Sequence, residues 1–229
     1  MTEVLYHKFV RYGVHLMTVG DHIYRRAEIL PVLERSENIV RPANYPAESV
    51  GHEVAIFETA KGPRVAVFSL MGRLFMKPPC DCAFHAADRV LARIPPDVKI
   101  IVADMHAEAT SEKVAMGWHL AGRASVVFGT HTHVPTADER ILSGGTAYIT
   151  DLGMSGPYDS VLGRRKDRVM RSMITGLPCP FDVATGDARM CGILVKVDSD
   201  TGKATHIERV CNHGPEGAHL EPEEGDERD

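Results

Sequence analysis

Apolar residues along the chain recur with two different spacings, and each spacing predicts a different element. Short apolar runs predict strands, whereas apolar positions three and four residues apart predict helices. The predicted helices cover residues 2–12, 23–33, 84–94, 110–120 and 167–174. The predicted strands cover residues 14–19, 53–58, 65–70, 99–104, 124–128, 146–150, 181–184, 191–198 and 204–208. Helices alternate with strands early in the chain and strands dominate later, which predicts a layered α/β fold.

The sequence is interpreted as one large domain followed by a polar tail. Its 229 residues suffice for a substantial core, and 44% hydrophobic residues is an ordinary globular value. No internal repeat or linker divides residues 1–211, which we take as the domain. Residues 212–229 are acidic and contain few large apolar side chains, a composition that predicts a disordered tail.

Charge, hydropathy and cysteine content narrow the functional classes. The formal net charge of −5 argues against stable nucleic-acid binding, because phosphate binding needs clustered lysine and arginine. No apolar run has transmembrane length and no signal peptide opens the sequence, so we expect a cytoplasmic protein. Five scattered cysteines predict reduced thiols, and the Cys80-Asp-Cys82 pair lacks the spacing of a zinc knuckle.

Three predicted strands end in aspartate or histidine, which is the pattern of a ligand cluster. The first leads into Asp21, the second into His106, and the third into His131 and His133. Strand-exit loops are where α/β proteins place their chemistry, and imidazole with carboxylate suits Mn, Fe, Co or Zn. Two such ions about 3.5–4 Å apart can bind a phosphoryl group and activate water. The sequence therefore predicts a metal centre built from these four side chains.

Three nearby features have more than one interpretation. His22 points away from Asp21 in an extended backbone, so it either donates a proton to a leaving oxygen or hydrogen-bonds to a ligand. Glu108 can ligate, but capping the helix at Thr110 or forming a surface ion pair is the preferred interpretation. The glycine-rich turn at residues 153–156 can approach a phosphate through its backbone, although a plain tight turn is the preferred interpretation.

Five longer motifs indicate a family. They are RPANYP (residues 41–46), HAEATSEK (106–113), GTHTHV (129–134), TADE (136–139) and TAYITD (146–151). Together they resemble the bacterial YmdB-like metallophosphoesterases of the calcineurin-like superfamily. The resemblance implies an α/β/β/α sandwich, a dinuclear metal centre and hydrolysis of small phosphodiesters such as 2′,3′-cyclic nucleotides. It also implies a link to RNA turnover and assembly into a homo-oligomer.

The resemblance also assigns roles to single residues. It makes His106 and His131 ligands of one metal and His133 a ligand of the other. His22 matches the proton-donating histidine of the family's Gly-Asn-His motif, and Asp21 replaces the asparagine of that motif. By ligand type, Fe or Mn is the favoured metal and Zn is the alternative. The family holds two ions, and one ion per chain is the alternative here.

Two carboxylate motifs of the family have no counterpart in the sequence. The family opens with a strand that ends in Gly-Asp and a second strand that leads into an Asn-Gly-Glu-Asn motif. Met1 falls where the following helix starts, so we expect an N-terminally truncated version of the sandwich. A misassigned start, a shortened relative with one metal or none, and a partner subunit that completes the site are three open explanations.

Two functions are compatible with these observations. In the first, the chain is a metal-dependent phosphodiesterase, in which a metal hydroxide attacks phosphorus and His22 assists the leaving group. In the second, the missing carboxylates impair catalysis and the chain is a metal-binding regulatory or scaffold protein. A metal-dependent amide hydrolase is a third possibility, because the same ligands would serve it, but it is the weaker one, since nothing in the sequence suggests a pocket for an acyl substrate.

Overall fold

The computed structural model describes residues 1–60 and 62–215 and is built around a mixed six-stranded sheet. The strands lie in the order β3 (Val54–Glu58), β4 (Arg64–Met71), β5 (Ile100–His106), β6 (Val126–Thr130), β8 (Thr146–Ile149) and β7 (Arg140–Leu142). The four inner strands run parallel, whereas β3 and β7 pair antiparallel at the two edges. The carboxyl ends of the inner strands therefore share one edge of the sheet, where open α/β sheets bind ligands.

Two helices cover one face of this sheet. They are α3 (Ala83–Leu91) and α4 (Thr110–His119). Because alternate residues of a strand point to opposite faces, β5 directs Ala103 and Met105 towards these helices. The two side chains join a buried cluster with Val90 of α3 and Met116 of α4.

A second sheet covers the opposite face. It is antiparallel, with the order β11 (Ala204–His213), β10 (Ala188–Val197) and β9 (Gly156–Pro157). Val102 of β5 and Phe128 of β6 point to this side and pack with Ile193 and Val195 of β10. A helix layer, a central sheet and a second sheet therefore stack through two apolar interfaces.

The N-terminal segment forms a separate small layer. It contains α1 (Glu3–Arg11), β1 (Met17–Thr18), a 3-10 turn at Ala27–Ile29, α2 (Leu30–Arg35) and β2 (Ile39–Val40). β1 and β2 pair in parallel, and their side chains share a core with Leu33 and with Met71 at the end of β4. This N-terminal core places the residues that follow β1 beside the carboxyl edge of the main sheet.

Most of the elements predicted from apolar spacing are confirmed, including the β3–β4 hairpin and α5 (Lys166–Thr175). The helix predicted over residues 23–33 is only partly correct, because α2 starts at Leu30. The strand predicted over residues 181–184 is wrong. Its apolar side chains Phe181 and Val183 are 39–41% exposed, and the segment forms only one isolated bridge, between Val183 and Arg164. β7 was not predicted.

The end of the described chain also differs from the expectation. β11 continues to His213, so residues 212–213 belong to a strand rather than to the predicted tail. Of the rest of the predicted tail, residues 214–215 belong to no helix or strand, and residues 216–229 lie outside the described residues. In β10 and β11, Cys191 lies opposite Cys211 with the two sulfur atoms 3.7 Å apart, and all five cysteines are free thiols. Among the described residues, no helix is long and apolar enough to cross a membrane.

Candidate metal centre

Three segments bring predicted ligands to the carboxyl edge of the six-stranded sheet. β5 ends at His106, and its parallel neighbour β6 ends at Thr130, directly opposite His106 in the register. His131 is therefore the first residue beyond β6. The third segment comes from the N-terminal layer, where the chain leaves β1 and reaches Asp21.

The three side chains converge on one small volume. One ligand atom from each of Asp21, His106 and His131 lies within 4.8 Å of the other two. His106 Nε2 is 2.9 Å from Asp21 Oδ1 and 3.2 Å from His131 Nδ1. The three side chains are 15–24% exposed, so the group is enclosed but can be reached from solvent.

The orientation of the His106 ring is fixed by hydrogen bonds on its Nδ1 side, away from Asp21. His106 Nδ1 lies 2.9 Å from the Thr130 hydroxyl, which in turn lies 2.8 Å from Asp104 Oδ1. With Asp104 ionised, Thr130 donates to it and accepts from Nδ1–H of His106, which leaves a lone pair on Nε2. In that tautomer a divalent cation can take the place of the proton that otherwise lies between Nε2 and the Asp21 carboxylate.

The pKa values of Asp21 and His131 are both lowered, which favours the protonation states that bind metal. Burial raises the pKa of Asp21, but the hydrogen bond with His106 and the charges of nearby histidines bring it below its usual value. Burial, followed by the charge of His106, lowers the pKa of His131. An ionised carboxylate and a neutral imidazole are the forms that coordinate divalent ions.

A buried ion pair secures the loop of residues 131–139, here called the histidine loop. Lys113 of α4 and Asp151 after β8 are 0% and 1% exposed, and their charged atoms lie 2.7 Å apart. The Thr132 hydroxyl accepts from Lys113 at 2.8 Å and donates to Asp151 at 2.6 Å. Thr132 stands between His131 and His133, whose φ angles of 90° and 65° are uncommon for a residue other than glycine. The pair therefore stabilises the unusual backbone that presents His131.

The approach of the N-terminal layer to His106 depends on a glycine. A Cβ atom on Gly20 would lie 2.3 Å from the His106 ring. A side chain at this position would force the ring or the backbone after β1 to move. Gly20 therefore allows Asp21 to reach its place beside His106.

A cavity of about 430 Å³ opens beside the group. Asp21, His22 and His131 line this cavity together with residues 75–78. Its volume lies within the range of roughly 300–1,000 Å³ that is usual for small-molecule sites. His22 is 71% exposed, and its Nε2 lies 3.9 Å from Asp21 Oδ2. The arrangement leaves room for a small ligand in contact with both His22 and the converged group.

Comparison with known proteins decides the family. The model of the YmdB-like protein family matches residues 1–210. The chain belongs to the YmdB-like family. It is 44% identical over 210 residues to the 2′,3′-cyclic-nucleotide 2′-phosphodiesterase of Bacillus subtilis (strain 168), a match that covers 92% of this chain and 79% of that relative.

Two crystal structures resemble this YmdB-like chain. A hypothetical protein from Thermus thermophilus gives a TM-score of 0.86 at 38% identity, over 94% of this chain and 82% of that one. A novel phosphatase from Mycoplasma pneumoniae gives a TM-score of 0.84 at 30% identity, over 93% of this chain and 77% of that one. The family and the α/β phosphoesterase fold expected from the five motifs are thereby confirmed.

The other predicted site residues of this YmdB-like chain lie around the group rather than in it. His133 is exposed, and within residues 1–60 and 62–215 the one group with ligand spacing consists of Asp21, His106 and His131. His22 lines the cavity next to Asp21. Glu108 forms an ion pair, as the preferred interpretation had it, but its partner is a predicted ligand, with 3.2 Å between Glu108 Oε2 and His131 Nε2.

Sequence reasoning missed the residues that support the group. Asp104 carried a usable signal, because it precedes His106 by two positions on a strand and so shares its face. Lys113 and Asp151 each lie inside a family motif, but their pairing joins residues far apart in the chain. No local spacing points to that contact.

Proposed function

We propose that the chain is a divalent-metal-dependent phosphodiesterase that acts on small phosphodiesters such as 2′,3′-cyclic nucleotides. The observation that carries the proposal is the convergence of three ligand atoms from three separate segments beside an open cavity. Similarity to the B. subtilis phosphodiesterase supports the substrate class. A carboxylate with two imidazoles is a donor set that suits Fe or Mn first and Zn as an alternative.

The residues around the cavity have separate proposed roles in metal binding and in proton transfer. Asp21, His106 and His131 would hold the ion, and Thr130 behind His106 would keep its Nε2 turned towards that ion. A bound divalent ion supplies Lewis-acid polarisation of a phosphoryl oxygen. His22, exposed at the cavity wall, donates a proton to the leaving oxygen. His133 is kept as a proposed ligand of a second ion.

A single histidine substitution tests the proposal. The purified chain with added Mn²⁺ should hydrolyse bis-p-nitrophenyl phosphate and 2′,3′-cyclic AMP. In His131→Ala the rate should fall by more than about 100-fold, since loss of a ligand exceeds the 10–100-fold effect of losing a ligand's supporting partner. His85→Ala removes an exposed histidine of α3 and should leave the rate unchanged. Full activity in His131→Ala would rule out this site.

A second candidate function is a metal-binding regulatory or scaffold protein with impaired catalysis. It is favoured by the ligand count, because the described residues bring together one carboxylate and two imidazoles, enough for one ion. Metal analysis of the purified chain separates the two. About two ions per chain with turnover supports the enzyme with His133 as a ligand, whereas one ion without turnover supports the scaffold. One ion with full turnover supports the enzyme and contradicts the scaffold.

We also propose a cytoplasmic homo-oligomer, with the expected domain of residues 1–211 extended to the end of β11 at His213. The five free thiols agree with a reducing compartment. Light scattering coupled to gel filtration tests the assembly, and a monomer at micromolar concentration would contradict it.

A further inference from the structure

The loop of residues 72–82, between β4 and α3, presents an aromatic side chain to the cavity. Phe75 is 89% exposed, the highest value among the large hydrophobic residues that the structure describes as exposed. Lys77 is also exposed, whereas Met76 between them is 9% exposed and packs into the N-terminal core. Met76 therefore anchors the loop while its two neighbours remain accessible beside the metal centre.

Polar side chains hold both ends of this loop. The Glu112 carboxylate of α4 accepts backbone N–H groups of Arg73 at 3.0 Å and Leu74 at 3.1 Å. The fully buried Asn44 accepts from the backbone N–H of Met71 at 2.8 Å and donates to the backbone oxygen of Asp81 at 2.9 Å. The backbone that carries Phe75 is therefore fixed at the two residues that precede it and again at the end of the loop.

The loop is also tied to the metal centre itself. The backbone N–H of Gly72 donates to the backbone oxygen of His106 at 2.9 Å. Phe75 and the ligand residue His106 consequently belong to one hydrogen-bonded unit. The fold therefore fixes the backbone of Phe75 relative to the metal-binding group, as recognition of two parts of one ligand requires.

The position of Phe75 is costly for the folded chain. Its φ angle of 64° lies in the left-handed region, which is unfavourable for an L-residue with a side chain. Because the ring is exposed, the folded chain also lacks the stabilisation that burial of a large apolar side chain provides. Strained backbone of this kind concentrates at ligand-binding sites, where the surrounding structure enforces it. The ring gains little from its own chain and is placed to contact a ligand.

We propose that Phe75 is the stacking platform for the base of a nucleoside phosphate whose phosphate lies at the Asp21–His106–His131 group. The assignment rests on the proposed function, because it names the base-binding half of the same site. Stacking on an aromatic ring tolerates every base, since each base has a π-face. Lys77, an exposed residue that lines the same cavity, adds a positive charge that suits a phosphorylated ligand. Phe75 thus determines specificity for nucleoside phosphodiesters over phosphodiesters without a base.

The test compares ligands with and without a base. Steady-state kinetics of the Mn²⁺-loaded protein use 2′,3′-cyclic AMP and glycerol 1,2-cyclic phosphate, which shares the cyclic phosphodiester but lacks the base. Calorimetry gives dissociation constants for AMP and for ribose 5-phosphate, a measurement independent of turnover. The variants are Phe75→Ala, Phe75→Tyr and Leu74→Ala, the last removing a neighbouring side chain that is 49% exposed and outside the cavity lining.

Phe75→Ala should weaken AMP binding and raise KM for 2′,3′-cyclic AMP by roughly 5- to 150-fold, the equivalent of about 1–3 kcal/mol of base stacking. Ribose 5-phosphate and glycerol 1,2-cyclic phosphate should be unaffected. Phe75→Tyr should retain wild-type values because it keeps the ring, and Leu74→Ala should match the wild type with every ligand.

Equal effects of Phe75→Ala on ligands with and without a base would overturn the assignment, as would no effect on AMP. Either result leaves the proposed function standing if the wild type hydrolyses both phosphodiesters. A wild type that hydrolyses neither compound, yet binds AMP in a manner that depends on Phe75, would instead contradict the proposed function and support the base platform.

Discussion

Two loops at the same edge of the main sheet are held by different chemistry. The histidine loop is secured by the fully buried ion pair of Lys113 and Asp151, which meets at Thr132. The loop of residues 72–82 is secured by the neutral amide of Asn44 and by the Glu112 carboxylate, both of which bond to backbone groups. The first loop carries a candidate metal ligand, and the second carries the exposed Phe75.

The difference predicts unequal consequences of losing each support. Removing one partner of a buried ion pair leaves an uncompensated charge in the interior, which is a large penalty. Removing a neutral amide leaves unpaired backbone groups, and the penalty for each is smaller. The histidine loop is therefore held by the stronger interaction, the buried ion pair. The loop of residues 72–82 is held by weaker hydrogen bonds to backbone groups.

Lys113→Met should produce the largest effect. It leaves the Asp151 carboxylate buried and unpaired, so the free energy of unfolding should fall by about 3–5 kcal/mol. Urea denaturation followed by circular dichroism measures the change. Affinity for Mn²⁺ should fall as well, because Thr132 loses its support next to His131.

Two control variants sharpen this comparison. The double variant Lys113→Met/Asp151→Asn removes both charges and should be less destabilised than Lys113→Met alone. Arg64→Met breaks an ion pair with Asp97 in which both side chains are largely exposed, and it should cost less than about 1 kcal/mol. If Lys113→Met costs no more than Arg64→Met, the buried pair does not secure the histidine loop.

Asn44→Ala should produce an intermediate effect. It leaves the backbone N–H of Met71 and the backbone oxygen of Asp81 without their partner, at a cost of about 1–3 kcal/mol. Denaturation measures the loss, and hydrogen exchange should become faster in residues 72–82. Asn212→Ala, at an exposed position in β11, is the matched control with no expected change. An equal result for the two variants would contradict a role of Asn44 in fixing the loop.

The smallest effect should come from acid titration of Asp138 in the histidine loop. Burial raises the pKa of this carboxyl, but hydrogen bonds from Thr136 and Thr150 bring it below the usual value. Its folded form therefore binds a proton less readily than the unfolded form, whose pKa is about 4. The stabilisation is present above that pH and is lost as the pH falls through the lowered pKa.

Comparison of wild type with Asp138→Asn isolates this contribution. The difference between their free energies of unfolding should be largest near neutral pH and should shrink on acidification. A difference that stays constant, or grows as the pH falls, would show that the carboxylate is not the stabilising form.

The parts of the fold that sequence reasoning predicted are those in which local pattern and burial agree. β5 and β6 are continuous apolar runs that became inner strands, so their ends, at His106 and at Thr130 before His131, could be expected to meet. β7 was missed because it is a short edge strand in which Arg140 and Ile141 are exposed. The apolar residues Phe181 and Val183 predicted a strand, but in the structure they face solvent.

The support of the site could not be predicted in the same way. Asp21 was identified as a ligand from its place after a strand, whereas its contact with His106 joins residues 85 positions apart. The contact of Lys113 with Asp151 spans 38 positions. Periodicity reports which face of an element is buried, but it does not report which charged groups meet inside the fold.

The placement of Gly20 against the His106 ring makes the metal centre a junction between two cores. Asp21 belongs to the N-terminal layer, whereas His106 and His131 belong to the main sheet. An ion bound by all three residues would therefore link the N-terminal layer to the main sheet. By linkage, each tenfold rise in free ion above its dissociation constant adds about 1.4 kcal/mol to the stability of the joined form. Residues 1–45, which already pack against Met71 and Met76 through an apolar core, should consequently dock more firmly as the metal supply increases.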